Sequence, residues 1–217
     1  MKASSSEHLE LGVKSVLGER LRLNAAIFDI ETRDEIAIAT NSGGRSSFKN
    51  VGRTNRRGIE LGANASLPYG FEVAAAWTRL NARFLDNFTS VAGTPAAVVT
   101  VPSGSYLPGV PRTVFYGELR WRHAPSGFTA AAEYLHKSQV FVDDRNSESA
   151  PAYGIFNLAA NFTQQAGPWR FTEYLRVDNV GDRKYAGSVV ANDANLRFYE
   201  PAPGRNYIAG MQARYAF

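Results

Sequence analysis

The 217-residue chain has no cysteine and only two methionines and three histidines. Without cysteine there are no disulfides, no thiol nucleophile and no thiolate-held zinc. No stretch approaches the about 20 consecutive apolar residues of a transmembrane helix, and helical periodicity is nearly absent. The N-terminal MKASSSEHLELGVKS carries a lysine but no apolar core of a signal peptide. No charge of one sign dominates. The net charge of +4 is spread evenly, without the basic stripe or tail of a nucleic-acid binder, so no nucleic-acid partner is expected. G-x-x-x-x-G-K, G-x-S-x-G and H-E-x-x-H are all missing. His8, His123 and His136 share no spacing suited to a metal. The run DDRNSE at 143–148 holds oxygen donors but lacks EF-hand spacing and its glycine, and reads as a solvated loop. The sequence therefore points to no catalytic residue, no metal site and no cofactor, and to a protein that is not an enzyme.

What the chain has is alternation with period two. Apolar residues make up 44% and charged residues 20%, a balance that excludes disorder. In HLELGVKSVL, Leu9, Leu11 and Val13 oppose Glu10, Gly12 and Lys14. In GIELGANASL, Ile59, Leu61, Ala63 and Ala65 oppose Gly58, Glu60, Gly62 and Asn64. About nine such segments follow one another, among them one long extended run, RLRLNAAIFDIETRDEIAIAT. Phe28 and Ile30 fall out of phase with Leu21, Leu23 and Ile27, which predicts a bulge near Ala25–Ala26. Most segments exceed the about 5–6 residues of a typical soluble strand, and several exceed the about 9–11 that cross a bilayer at a tilt.

Tight turns (LGE, PYG, APSG, QAGP) alternate with longer loops, including a Gly/Pro/Ser/Thr-rich loop at 86–110. Short turns at one end and long loops at the other are the pattern of an outer-membrane barrel. That pattern predicts turns near Gly18, Tyr69, Ser126 and Gly167 on the periplasmic side. It predicts loops around Gly43, Gly93, Arg145 and Asp193 outside.

One predicted face is Leu, Ile, Val, Ala and Phe, with aromatics near strand ends: Phe71, Trp121, Phe128, Trp169 and Tyr215. The other carries Glu60, Glu72, Glu118, Arg120, Glu133, Arg176 and Arg214. A soluble sandwich and a membrane barrel both alternate in this way, one with its apolar face inward and the other outward. Alternation alone leaves both open. Strand length, terminal aromatics and abundant alanine favour the barrel. Glu173 falls on the apolar face, which places it near an interface or against a partner.

The last segment, FYEPAPGRNYIAGMQARYAF, puts Tyr207, Ala209, Met211, Ala213, Tyr215 and Phe217 on the apolar face. The closing Tyr215 and Phe217 resemble the C-terminal signal that the barrel-assembly machinery reads in outer-membrane β-barrels. The resemblance narrows over most of the chain. FNLAANF, LRVDNVGDRKYAGSVV and the final segment are similar to the closing segments of TonB-dependent outer-membrane receptors. LRLNAAIFDIETRDEIAI, NVGRTNRRGIELGANASL and LPGVPRTVFYGELRW fit the same family in the same order. Val180-Gly181 departs from the Leu-Phe more often found there.

The resemblance implies an all-β, antiparallel up-and-down transmembrane barrel of about 22 strands with a plugged lumen. About nine of those strands lie in residues 1–217, the C-terminal part, with the plug domain absent. It implies active uptake of a scarce nutrient across the Gram-negative outer membrane, most of all a ferric siderophore or other metal chelate. The implied partners are outer-membrane lipid, the assembly machinery, the TonB complex (through an N-terminal region) and the chelate itself. Arg197, Tyr199 and Arg205, in and just after the loop at 186–204, are the candidate ligand-binding residues. They suit an anionic or catecholate-like ligand through charge-assisted hydrogen bonds and stacking. Pairing of Arg197 and Arg205 with Glu200 or a neighbouring strand is the competing expectation. A free-standing β-barrel or sandwich with a binding or structural role is the alternative for the whole chain.

Overall fold

The computed structural model describes residues 1–92 and 97–217. In chain order its strands are β1 (Ser5–Leu17), β2 (Leu21–Arg33), β3 (Ile36–Ser42), β4 (Arg45–Asn50), β5 (Thr54–Ser66) and β6 (Phe71–Phe84). β7 (Phe88–Ala92), β8 (Ala97–Val101), β9 (Thr113–His123), β10 (Phe128–Lys137), β11 (Val140–Phe141) and β12 (Ser149–Ala150) follow. The last are β13 (Tyr153–Ala166), β14 (Trp169–Asp178), β15 (Ala186–Val189), β16 (Tyr199–Pro201) and β17 (Asn206–Tyr215). Nine of these form one sheet in the order β1-β2-β5-β6-β9-β10-β13-β14-β17. All neighbours are antiparallel, so this is an up-and-down meander whose first and last strands do not meet: part of a barrel wall, unclosed.

The short turns lie at one end of the sheet and the long connections at the other, as the sequence predicts. Two short turns are single 3₁₀ turns, Pro68–Gly70 and Ala124–Ser126. Glycine closes both because the next strand passes close by. Gly70 (φ 82°) and Gly127 (φ 73°) sit in the left-handed region, and a Cβ on either would collide with the carbonyl oxygen of Arg122 or Thr163.

Each long connection contains a two-stranded hairpin: β3-β4, β7-β8, β11-β12 and β15-β16. The sequence pattern read these as loops or as ends of longer strands. The run at 20–40 is in fact two strands. Asp34 adopts φ 52° and turns the chain, and Glu35 and Val51 close the fold-back by Glu35 N–H to Gly52 O and Val51 N–H to Glu35 O, both 2.9 Å. Gly93 lies outside the described residues.

Register settles the faces. Leu11, Ile27, Ile59 and Arg79 form one cross-strand row, and Ala25, Leu61, Trp77 and Phe115 belong to the next. Glu60, Glu72, Glu118, Arg120, Glu133, Arg176 and Arg214 all take the opposite face. The bulge expected near Ala25–Ala26 is absent. β2 pairs without a break on both sides, Ala25 with Val13 and Leu61, and Ala26 with Gly12 and Glu60. Phe28 and Ile30 are instead ordinary members of the polar face. Phe28 fits there because its ring lies over Gly58, where any Cβ would collide with it.

The apolar face is bare: Leu9, Leu11, Met211 and Phe156 are 76%, 71%, 67% and 58% exposed. A face of this size is a liability in water and a requirement against hydrocarbon. It carries aromatics in two rows, six residues apart on each of four adjacent strands: Phe71/Trp77, Trp121/Phe115, Phe128/Tyr134 and Phe162/Phe156. Six residues are about 20 Å of strand. In the lower row Phe71, Trp121 and Phe128 have ring centroids 6.3 and 6.2 Å apart, and in the upper row Tyr134 packs on Phe156 at 4.6 Å. The sequence reading had only the lower row. Its terminal cluster is present, with Tyr215 edge-on to Trp169 and to Phe217, both at 5.0 Å.

Candidate functional site

The buried apolar core sits not inside the sheet but under the long connections. Val51, Ala82, Phe84, Val101 and Leu107 pack together there. Above them the connections lock to one another through asparagines, whose short amides bridge backbone groups that no strand pairs. Asn192 is at the centre, in the left-handed region at φ 54° that asparagine tolerates. Its Nδ2 donates to Ile38 O (2.9 Å) and to Asp144 Oδ1 (3.0 Å), and its Oδ1 accepts from Asp144 N–H (3.1 Å). Its carbonyl accepts from Asn41 N–H at 3.1 Å, while Asn41 Nδ2 donates to Ala191 O at 2.7 Å. One amide thus joins three of the four long connections.

The run at 143–148 is the solvated loop expected only in part: Arg145, Ser147 and Glu148 are exposed, but its two aspartates are not. Asp143 and Asp144 are 9% and 2% exposed. Asp143 accepts from Ser147 N–H at 2.7 Å and from the Ser147 hydroxyl, closing a tight turn. Asn146 reaches across to the neighbouring connection, exchanging bonds of 2.6 and 2.8 Å with the backbone of Tyr106. Among the described residues Asp144 Oδ2 accepts no hydrogen bond, and Lys49 Nζ stands 4.0 Å from it. At that distance the pair does not offset its own desolvation. Burial pushes the Asp144 carboxyl up and the Lys49 ammonium down from their ordinary values. Lys49 is held in place by Thr89 O (3.1 Å) and by the face of Phe88 (4.7 Å).

Beside this hub the connections frame an open cavity of about 550 Å³. Its polar lining includes Asp143, Arg145, Glu148, Asp193 and Tyr199, and its apolar lining Leu196 and Phe198. That volume and mixture suit a small organic ligand or chelate. Of the three residues singled out from the sequence, Tyr199 lies in this lining. Its hydroxyl donates to Glu148 Oε1 at 2.6 Å, and burial together with that bond pushes its pKa up to about 12, so it stays a donor. Arg197 is exposed on the same turn, its backbone N–H bonded to Asp193 Oδ1 at 3.1 Å. Arg205 is elsewhere, at the base of the connection. Its Nε donates to Val180 O (2.9 Å) and its backbone N–H to Asp182 Oδ1 (2.8 Å). Glu200 bonds Ser188 rather than either arginine. Sequence reasoning placed Asp144 and Asn192 in loops without a structural role and missed Asn41 and Lys49; Asn192-Asp193 with Asn195 close behind was the available signal.

The polar face of the sheet carries its own network. Arg176 donates twice to Glu133, at 2.8 and 2.7 Å, and once to Asp178 at 2.7 Å, while Asn157 donates to Glu133 at 3.2 Å. Arg120 bridges Glu118 (2.7 Å) and Glu72 (3.8 Å). A concavity of about 730 Å³ opens between these two groups.

A family model described as "TonB dependent receptor-like, beta-barrel" matches residues 1–180. A protein of Acinetobacter baumannii called a probable TonB-dependent siderophore receptor, PiuA, is 23% identical over 214 residues, covering 97% of this chain and 27% of that protein. The crystal structure of the siderophore receptor PiuA from the same organism has a TM-score of 0.74 at 22% identity, over 96% of this chain and 28% of its own. The ferric citrate transporter FecA, unliganded, gives 0.75 at 16% identity, over 96% and 31%. BauA, the ferric preacinetobactin receptor of A. baumannii, gives 0.71 at 16%, over 96% and 29%. The chain thus spans between 27% and 31% of the length of these relatives.

Proposed function

The chain belongs to the TonB-dependent receptor β-barrel family, and from that premise we propose that residues 1–217 are the C-terminal part of an outer-membrane receptor barrel for a scarce nutrient. The observation that carries this reading is the division of the sheet. One face is apolar between two aromatic rows, the other is charged, and all four long connections gather at one end around a cavity. In this reading the apolar face meets lipid and the charged face lines the lumen. The gathered connections form part of the outer ligand-binding surface, and the short turns lie in the periplasm. A metal chelate of the siderophore class is the favoured cargo, since the relatives' names specify a siderophore, ferric citrate and ferric preacinetobactin.

Tyr199 and the exposed Arg197 are the proposed ligand contacts from this part of the barrel, with Arg145 joining them from the facing connection. Arg205 is proposed as a support for that loop, because its side chain is spent on Val180. Tyr215 and Phe217 are proposed as the assembly signal. The test uses the longer receptor containing this segment, expressed in an iron-starved Gram-negative host lacking its own receptors. Uptake of radioiron supplied as ferric citrate or as a ferric catecholate is expected, and it stops when TonB is removed. Uptake of neither chelate, or uptake independent of TonB, overturns the reading.

A further inference from the structure

The apolar face does not end evenly. Four cross-strand rows over β1, β2, β5 and β6 show where it changes character. The uppermost is Leu9, Asp29, Arg57 and Asn81, and below it lie Leu11, Ile27, Ile59 and Arg79. The next two rows are apolar almost throughout: Val13, Ala25, Leu61 and Trp77, then Ser15, Leu23, Ala63 and Ala75. Small residues flanked by large ones leave a trough. Its lower section is a groove of about 440 Å³, floored by Ala25, Ala63 and Ala75 and walled by Leu23, Leu61 and Trp77. Its upper section is a groove of about 790 Å³ that runs from Leu11, Ile27 and Ile59 up to Arg57, Arg79 and Asn81.

The polar end of the trough is cationic. Arg57 is bonded to Asp29 through Nε (2.8 Å) and Nη2 (2.6 Å), so its charge is partly offset. Arg79 is exposed, and its guanidinium has no hydrogen-bond or ion-pair partner among the described residues. Arginine is the side chain best matched to phosphate, through paired N–H donors in a planar fork. The four rows cover about 20 Å of strand. At barrel tilt that is about 15 Å of height, half of a hydrocarbon core. Below Arg79 the trough descends four residues, about 10 Å of height, so an acyl chain enters the upper part of one leaflet with the cation at the headgroup level.

We propose that this trough is a binding site for a phosphate-bearing membrane lipid, with an acyl chain running down past Leu61 and Trp77 to Ala63 and Ala75 and the phosphate on Arg79 and Arg57. The proposal rests on the apolar face meeting lipid, as above. It adds a built site where the family reading asks only for a greasy surface.

The test uses the longer receptor purified in mild detergent, with native mass spectrometry counting bound lipid. The probes are dioleoyl phosphatidic acid and dioleoylglycerol, which share acyl chains and differ in the phosphate. The wild-type protein retains phosphatidic acid about tenfold better than dioleoylglycerol. Arg79→Gln brings retention down to the dioleoylglycerol level, Arg79→Lys keeps part of it, and Asp29→Asn raises it by releasing Arg57. Millimolar inorganic phosphate does not displace the lipid, because the acyl chain anchors it. Equal retention of the two lipids, or an Arg79→Gln variant that retains phosphatidic acid as well as wild type, overturns the proposal. Heat-modifiable mobility of the same samples reports the barrel independently. A folded barrel without lipid preference sinks only this inference, whereas a chain that never enters membranes sinks the reading beneath it as well.

Discussion

Removing the Asn192 side chain should uncouple the long connections while leaving the sheet intact. The side chain makes three hydrogen bonds: to Ile38 O, to Asp144 Oδ1 and from Asp144 N–H. A neutral bond of this kind contributes about 1 kcal/mol, and one to a carboxylate about 1.5–3 kcal/mol. The loss is therefore about 3–5 kcal/mol, part of which water recovers by entering. Asn192→Ala carries a second cost of about 1–2 kcal/mol, because alanine must hold φ 54°. Asn192→Gly does not. The assay is amide hydrogen exchange at Asn41 and Ala194, whose N–H groups bond Asn192 O and Asn41 O across the junction. Local opening made easier by about 3 kcal/mol speeds exchange by about 100-fold. The expected order is wild type slowest, then glycine, then alanine, with amides of β9 and β10 unchanged. If Asn41 and Ala194 stay fully protected in Asn192→Gly, the side chain is not what joins the connections. If β9 and β10 speed up equally, the connections and the wall unfold as one unit. Either result refutes the argument.

Leu23→Arg places a charge on the apolar face between Ser15 and Ala63, one row inside the upper aromatic row, at a cost approaching the about 2–4 kcal/mol of a midplane arginine, whereas Glu60→Gln on the opposite face is tolerated; the fraction migrating as folded on unheated gels distinguishes them. Phe217→Ala removes a ring that touches Tyr215 and is otherwise exposed. Burial there contributes at most about 1.5–3 kcal/mol, so insertion in pulse-chase slows while detergent stability of the folded barrel changes little. Asp144→Asn stabilises the connections at neutral pH. Burial raises this carboxyl above its ordinary 3.8, so the folded form binds the proton more tightly and loses stability as pH rises from about 3.8 through the raised value. In the variant the pH dependence of loop exchange over that interval flattens, and an unchanged profile would show that Asp144 is not its source.

The wall was legible because each of its strands is a two-sided surface, and period-two alternation records both sides at once. Leu61 against Glu60 states the face, and the tight turns state the register, so all nine strands and their order could be read from the residues. The hub was not legible, because it obeys no period. Asp143 and Asp144 carry the composition of a solvated turn, yet they are buried. What buries them is Asn192, nearly fifty residues downstream, together with Lys49, nearly a hundred upstream. No local signal encodes a contact at such separations. Glycine-, asparagine- and aspartate-rich stretches look alike whether they face water or one another. The hairpins in the long connections escaped for the related reason that Asp34 and Gly52 break strands whose alternation continues past them. The sequence of the wall thus reports what lies on each of its faces, while the sequence of its long connections reports only permitted turns. Their partners are chosen where the four long connections gather at one rim of the wall, far apart in the chain.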